Sequence, residues 1–168
     1  SIIMVDASAG VQVGTEKAWE ECSKHKNPKF IVLTKIDKDN VDVDKVVAQL
    51  REKFGNSVVT DDDKDALNEA VAGTDEALME KFFNDEPFTE EFYNGLMTGI
   101  ATGDVVPIIK MSAKTGEGVD EVLRSINRYV PMPTDHPPYS AKNIKGEDVE
   151  VTTDPADKPV LWIFKTKA

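Results

Sequence analysis

Three short apolar runs punctuate the chain, and each gives way to a polar turn and then to helical spacing. Ile2 to Val5 leads into the loop Asp6 to Gly14 and a helix from about Thr15 to Lys26. Phe30 to Leu33 leads into Thr34 to Asn40 and a helix from about Asp42 to Phe54, where Val43, Val46, Val47 and Leu50 form one stripe. Val105 to Met111 is followed by Ser112 to Gly118 and a helix from about Val119 to Tyr129. Unbroken apolar runs alternating with helices predict an α/β fold with parallel strands covered on both faces. Ligands of such sheets gather beyond the carboxyl ends of the strands, where all three polar loops fall.

Between the second and third of these units, Ser57 to Thr60 predicts one more short strand. The stretch TDDDKDALNEAVAGTDEALMEKFF predicts an acidic, capped helical insertion, with Leu67, Val71, Leu78 and Phe82 setting its spacing and Gly73 weakening its middle. PFTEEFYNGLMTGIATGD adds a helix with Thr89 as N-cap, Phe92, Leu96 and Ile100 as its stripe and Gly103 as its stop. YVPMPTDHPPYS reads as a linker, because its four prolines deny both helix and central strand. GEDVEVTTDP and PVLWIFKTKA then alternate as β-structure. The chain opens in one apolar run and closes in another, which predicts a piece of a longer protein. The expected organisation is a partial α/β domain over 1–60 and 105–131, a helical subdomain inserted at 61–104, and a linker with the start of a second, β domain at 132–168.

Charge narrows the functions. Against 20 Lys and Arg stand 31 Asp and Glu, a net −11 over 168 residues, which disfavours direct binding in a nucleic-acid groove by this segment. The sequence has no apolar run of membrane-spanning length and no signal-peptide pattern, so a cytoplasmic location and no membrane partner are expected. Cys22, alone, predicts a buried filler and no internal disulfide. His25 and His136 have no cysteine companions, and Asp61–Asp63 lacks the alternating ligands of a calcium loop, so no metal site is expected.

The loops carry the chemistry. A carboxylate at Asp37 accepts two adjacent N–H bonds, the pair that guanine offers through N1–H and its 2-amine. Adenine, with an unprotonated N1 and no 2-amine, is left mispaired. Lys35, two positions earlier, points to the same side, and its methylene stem can lie over a purine face. Thr34 turns the other way, to anchor neighbouring loops through its hydroxyl. In MSAKTGEGV, the Ala113 N–H is placed to donate to guanine O6, Ser112 to brace Asp37, and Lys114 to cover the opposite ring face. Together these six residues make a candidate guanine sandwich. No catalytic residue is assigned.

Thr34-Lys35-Ile36-Asp37 and Ser112-Ala113-Lys114 resemble the fourth and fifth guanine-recognition motifs of translational GTPases, whose first pattern is Asn-Lys-x-Asp. Further stretches narrow the resemblance to elongation factor G and elongation-factor-G-like proteins. VDASAGVQVGTEKAW is similar to the strand and loop after the second switch. EALMEKFFNDEPFTEEFYNGLMTGIATGDVVPI is similar to the inserted subdomain, YVPMPTDHPP to the exit linker and PVLWIFKT to the first strand of domain II. The resemblance implies a partial P-loop-GTPase-type sheet with a helical insertion and a C-terminal β segment. It further implies GTP or GDP as ligand, with Mg²⁺ only in the full-length protein, and GTP hydrolysis on the ribosome in protein synthesis. Two departures stand out. Thr34 replaces the usual Asn, and no Gly-x-x-x-x-Gly-Lys-[Ser/Thr], Asp-x-x-Gly turn or threonine-bearing first switch occurs, so this segment by itself is expected to be inactive. Two other classes compete. A phosphorelay receiver lacks its paired acidic residues here, and an acidic docking module for a basic ribosomal partner would use the insertion.

Overall fold

The computed structural model describes residues 1–25, 27–60, 62–84, 86, 90–130, 132, 134, 138–161, 163, 165 and 166. The end of the first predicted helix at Lys26, Asp61, the Thr89 cap, His136 and most of the proline-rich stretch lie outside them. The chain divides into two compact units, Ser1–Val130 and Pro131–Ala168.

In the first unit, strands β1 (Ile2–Asp6), β2 (Phe30–Thr34), β3 (Val58–Thr60) and β4 (Val106–Lys110) form the expected parallel sheet, in the order β1-β2-β4-β3. Its register places Asp6 beside Thr34 and Leu33 beside Lys110, so three strands end at one level. Helices α1 (Val13–Lys24) and α2 (Val43–Phe54) share one core with Ile3, Val5, Ile31, Leu33, Val106 and Ile108. Val46, Val47 and Leu50 are buried in it, as is Cys22. Full burial of such side chains contributes about 1.5–3 kcal/mol each. Another core packs Phe30, Val32 and Ile109 against Val122 and Ile126 of α6, the helix Val119–Tyr129.

Helix α2 starts where its cap requires, because the Asp42 carboxylate accepts the Lys45 N–H at 3.0 Å. Helix α1 begins two residues before the apolar spacing predicts. Val13 is 67% exposed and gives no periodic signal.

The insertion differs from the single helix expected after Thr60. It is two helices, α3 (Lys64–Ala72) and α4 (Glu76–Phe83), followed by α5 (Glu90–Thr102). The break has a local cause: the Asp75 side chain accepts the Ala77 and Leu78 N–H groups at 2.8 and 3.3 Å and starts a new helix. The Thr74 hydroxyl meanwhile donates to the Val71 carbonyl at 2.7 Å and closes the old one. Val71, Leu78, Leu96 and Ile100 then pack with Val59 and Val105.

The second unit contains an antiparallel hairpin, β5 (Tyr139–Lys142) with β6 (Asp148–Val151). Strand β6 lies in the alternating GEDVEVTTDP, whereas β5 begins inside the stretch assigned to the linker. The strand expected in PVLWIFKTKA is absent among the described residues. Val160, Leu161 and Ile163 remain 63, 91 and 76% exposed, and alternation without a neighbouring strand forms no ladder. Among the described residues no helix is long and apolar enough to cross a membrane.

Candidate functional site

The carboxyl ends of β2 and β4, and the loops that leave them, hold every residue that the sequence nominates, and β1 ends beside them. Two backbone bonds lock the ends together: the Ala7 N–H donates to the Thr34 carbonyl at 2.9 Å, and the Met111 N–H to the Leu33 carbonyl at 2.8 Å. The loops leaving β2 and β4 therefore start side by side.

Their contact is one short bond. The Ser112 hydroxyl, fully buried, donates to Asp37 Oδ1 at 2.6 Å, and its oxygen accepts the Thr115 N–H at 3.2 Å. That bond, ahead of the charges of Lys114 and Lys38, holds the Asp37 carboxyl below its ordinary value of 3.8. Asp37 is thus ionised at neutral pH and purely an acceptor. Its Oδ2 has no side-chain partner among the described residues. Nor does the Ala113 N–H meet an acceptor among them, and both Ala113 and Lys114 are exposed. An ionised carboxylate with one oxygen open and an open backbone donor on adjacent loops suit a flat base edge that presents donors and an acceptor.

The loop after β4 keeps its shape through the Ser112 N–H bond to the Glu117 carbonyl at 2.8 Å and the Gly116 N–H bond to the Ser112 carbonyl at 2.9 Å. Gly118 precedes α6 at φ +72°, where a Cβ would stand 2.1 Å from the Lys110 carbonyl oxygen. Only glycine lets the helix start this close to the strand end.

Thr34 and Lys35 make their side-chain bonds to β1 rather than to Asp37. The Thr34 hydroxyl donates to the Val5 carbonyl at 3.3 Å and so ties β2 to β1. Lys35 is the one non-glycine among the described residues with a positive φ, +61°, and its ammonium reaches Asp6 Oδ2 at 2.5 Å. Asp6, Ser8 and Lys38 were not nominated from the sequence. A signal existed, since adjacent parallel strands end in Asp6 and in Thr34-Lys35, but reading it requires the register.

A second cleft, lined by Asp44, Val47, Arg51, Thr60, Asp62 and Lys110, opens toward the β3 side. Its cations are engaged, Lys110 with Asp62 at 2.6 Å and Arg51 with Asp63 at 3.0 Å. It shares no residue with the loops that follow β2 and β4.

An all-parallel sheet with paired polar loops at its carboxyl end is the architecture of a GTPase-type α/β domain. A crystal structure of a protein from Thermus thermophilus has the same fold, with a TM-score of 0.68 over 80% of this chain and 27% of its own, at 24% identity. The family model of the elongation factor Tu GTP binding domain matches residues 1–132, and the chain belongs to that family. It is 25% identical to an elongation factor G-like protein of Thermotoga maritima, matching along 98% of its own length and spanning 30% of the length of that relative.

One consequence is measurable without ligand. In a Ser112→Ala chain the Asp37 carboxyl rises toward its ordinary value of 3.8, followed by carboxyl-carbon NMR titration. An unchanged Asp37 titration contradicts the assigned bond. The stability difference between the two chains is fully present above 3.8 and fades as pH falls through the lower folded value.

Proposed function

We propose that these residues form the guanine-recognising half of an elongation-factor-G-like translational GTPase that acts on the ribosome in the cytoplasm. The Ser112–Asp37 bond carries the reading, because it joins the two loops and fixes an ionised acceptor at a strand end. In this reading Asp37 accepts guanine N1–H and the 2-amine, the Ala113 N–H donates to O6, and the stems of Lys35 and Lys114 cover the two ring faces. Thr34 braces the loop through β1. The donor set fits a guanine base and rejects adenine by leaving its edge mispaired.

The triphosphate is a different matter. No Gly-x-x-x-x-Gly-Lys-[Ser/Thr] occurs in the 168 residues, and among the described residues no three His, Cys, Asp or Glu side chains are grouped to hold a cation. The residues here do not fit Mg²⁺, and no step is assigned to it. The expected behaviour of this chain is weak binding of GTP and no hydrolysis. Isothermal titration checks it: a micromolar dissociation constant for GTP contradicts the division of labour, and heats too weak to fit agree with it.

A further inference from the structure

The base loops explain Asp37, Ser112 and Ala113, but they leave Asp6 without a role, although it is the most heavily bonded carboxylate beside them. Its Oδ2 takes the Lys35 ammonium at 2.5 Å. Its Oδ1 takes the Ser8 N–H at 2.9 Å and the Ser8 hydroxyl at 2.6 Å. The Ser8 oxygen in turn accepts the Lys38 ammonium at 3.0 Å. The carbonyl of Asp6 accepts the Ala9 and Gly10 N–H groups at 3.0 and 2.9 Å, which folds the loop after β1 back on itself. Lysines on both sides of Asp37 are thus held by one turn of a neighbouring strand. Lys35 meanwhile sits in a left-handed conformation, φ +61°, that residues with a Cβ adopt uncommonly.

We propose that Asp6, supported by Ser8, is a positioning residue for base binding: it anchors the Lys35 ammonium so that the lysine stem is laid in advance along one face of the purine slot. The inference rests on the guanine-site reading and adds to it a residue outside both recognition loops. A long side chain left free would lose rotamer freedom on covering a base, and an anchored one has already lost it. Asp6 therefore raises affinity for any purine that Asp37 accepts, without reading the base edge. Its carboxyl is held well below the ordinary range by the Lys35 bond and then by Ser8, so the anchor persists through the mildly acidic range.

The test uses the whole 168-residue chain, titrated with guanosine and, separately, inosine while amide shifts are followed by NMR. Asp6→Asn keeps the shape of the side chain and removes its charge. The expected result is weaker binding of both nucleosides by one common factor, about three- to fivefold, the range of an exposed ion pair. The guanosine-to-inosine ratio stays unchanged, because inosine differs only at the edge that Asp37 reads. Lys35→Met keeps the stem and loses the anchor, and adding Asp6→Asn to it should change nothing further. Equal affinities in wild type and Asp6→Asn overturn the proposal while the base site stands. An Asp6→Asn effect that survives in the Lys35→Met background overturns it too, since Asp6 then acts by another route. If Asp6→Asn fails to fold, Lys35→Met decides alone: a factor similar to the one predicted supports the anchor, and none refutes it. A wild-type chain that guanosine does not perturb removes the base site and the proposal with it.

Discussion

An Asp37→Asn chain loses guanosine and gains xanthosine. The carboxylate is an acceptor only, held ionised by the Ser112 hydroxyl, so in the proposed site it would meet two donors on guanine. An amide there sets its own NH₂ against the 2-amine of guanine, two donors facing each other. Xanthine carries a carbonyl at that position and keeps N1–H, so the amide pairs with both. The expected loss for guanosine is roughly a hundredfold or more, the scale on which a polar site rejects a partner that leaves its groups unpaired. Parallel NMR titrations with the two nucleosides check it. An Asn variant that still prefers guanosine removes Asp37 from the base edge. The fold is not expected to suffer, because Asp37 is only half-buried and Ser112 can donate to the amide oxygen.

The second large effect is on stability. Gly118→Ala forces a left-handed residue to carry a Cβ 2.1 Å from the Lys110 carbonyl and 3.1 Å from Met111 Cα. Both obstacles are backbone and cannot swing aside as a side-chain tip can. Strain and overpacking together should destabilise the domain by about 3–5 kcal/mol, read as a shift in the urea midpoint. Gly116→Ala is the control, since φ is +83° there but no atom lies within 4 Å of the added carbon. It should lose only about 1–2 kcal/mol, the conformational cost alone. Similar losses at the two positions would mean that the strand end and the helix start do not meet as described.

These predictions depend on parts of the molecule that the sequence reveals unevenly. The strands were legible because Phe30 to Leu33 and Val105 to Ile109 are buried from both sides and read as unbroken apolar runs. Asp37, Ser112 and Ala113 were legible because they end such runs, where a buried strand has no structural need for polar groups. The break between α3 and α4 was hidden. Helical spacing continues through Gly73, and local bonds of Thr74 and Asp75 stop it. Strand β5 was masked by the prolines just before it. Asp6 was invisible for another reason. Its partner Lys35 lies 29 residues on, and only the β1–β2 register brings the two charges together.

The central claim is a guanine-shaped set of donors and acceptors between two loops. Its most direct measurement is an amide-resolved NMR titration of the unmodified chain with guanosine, with adenosine in parallel. The account predicts saturable shifts at Thr34 to Lys38 and Ser112 to Thr115 with guanosine and none at those positions with adenosine. Equal responses to the two nucleosides, or guanosine shifts clustered elsewhere in the fold, would contradict it.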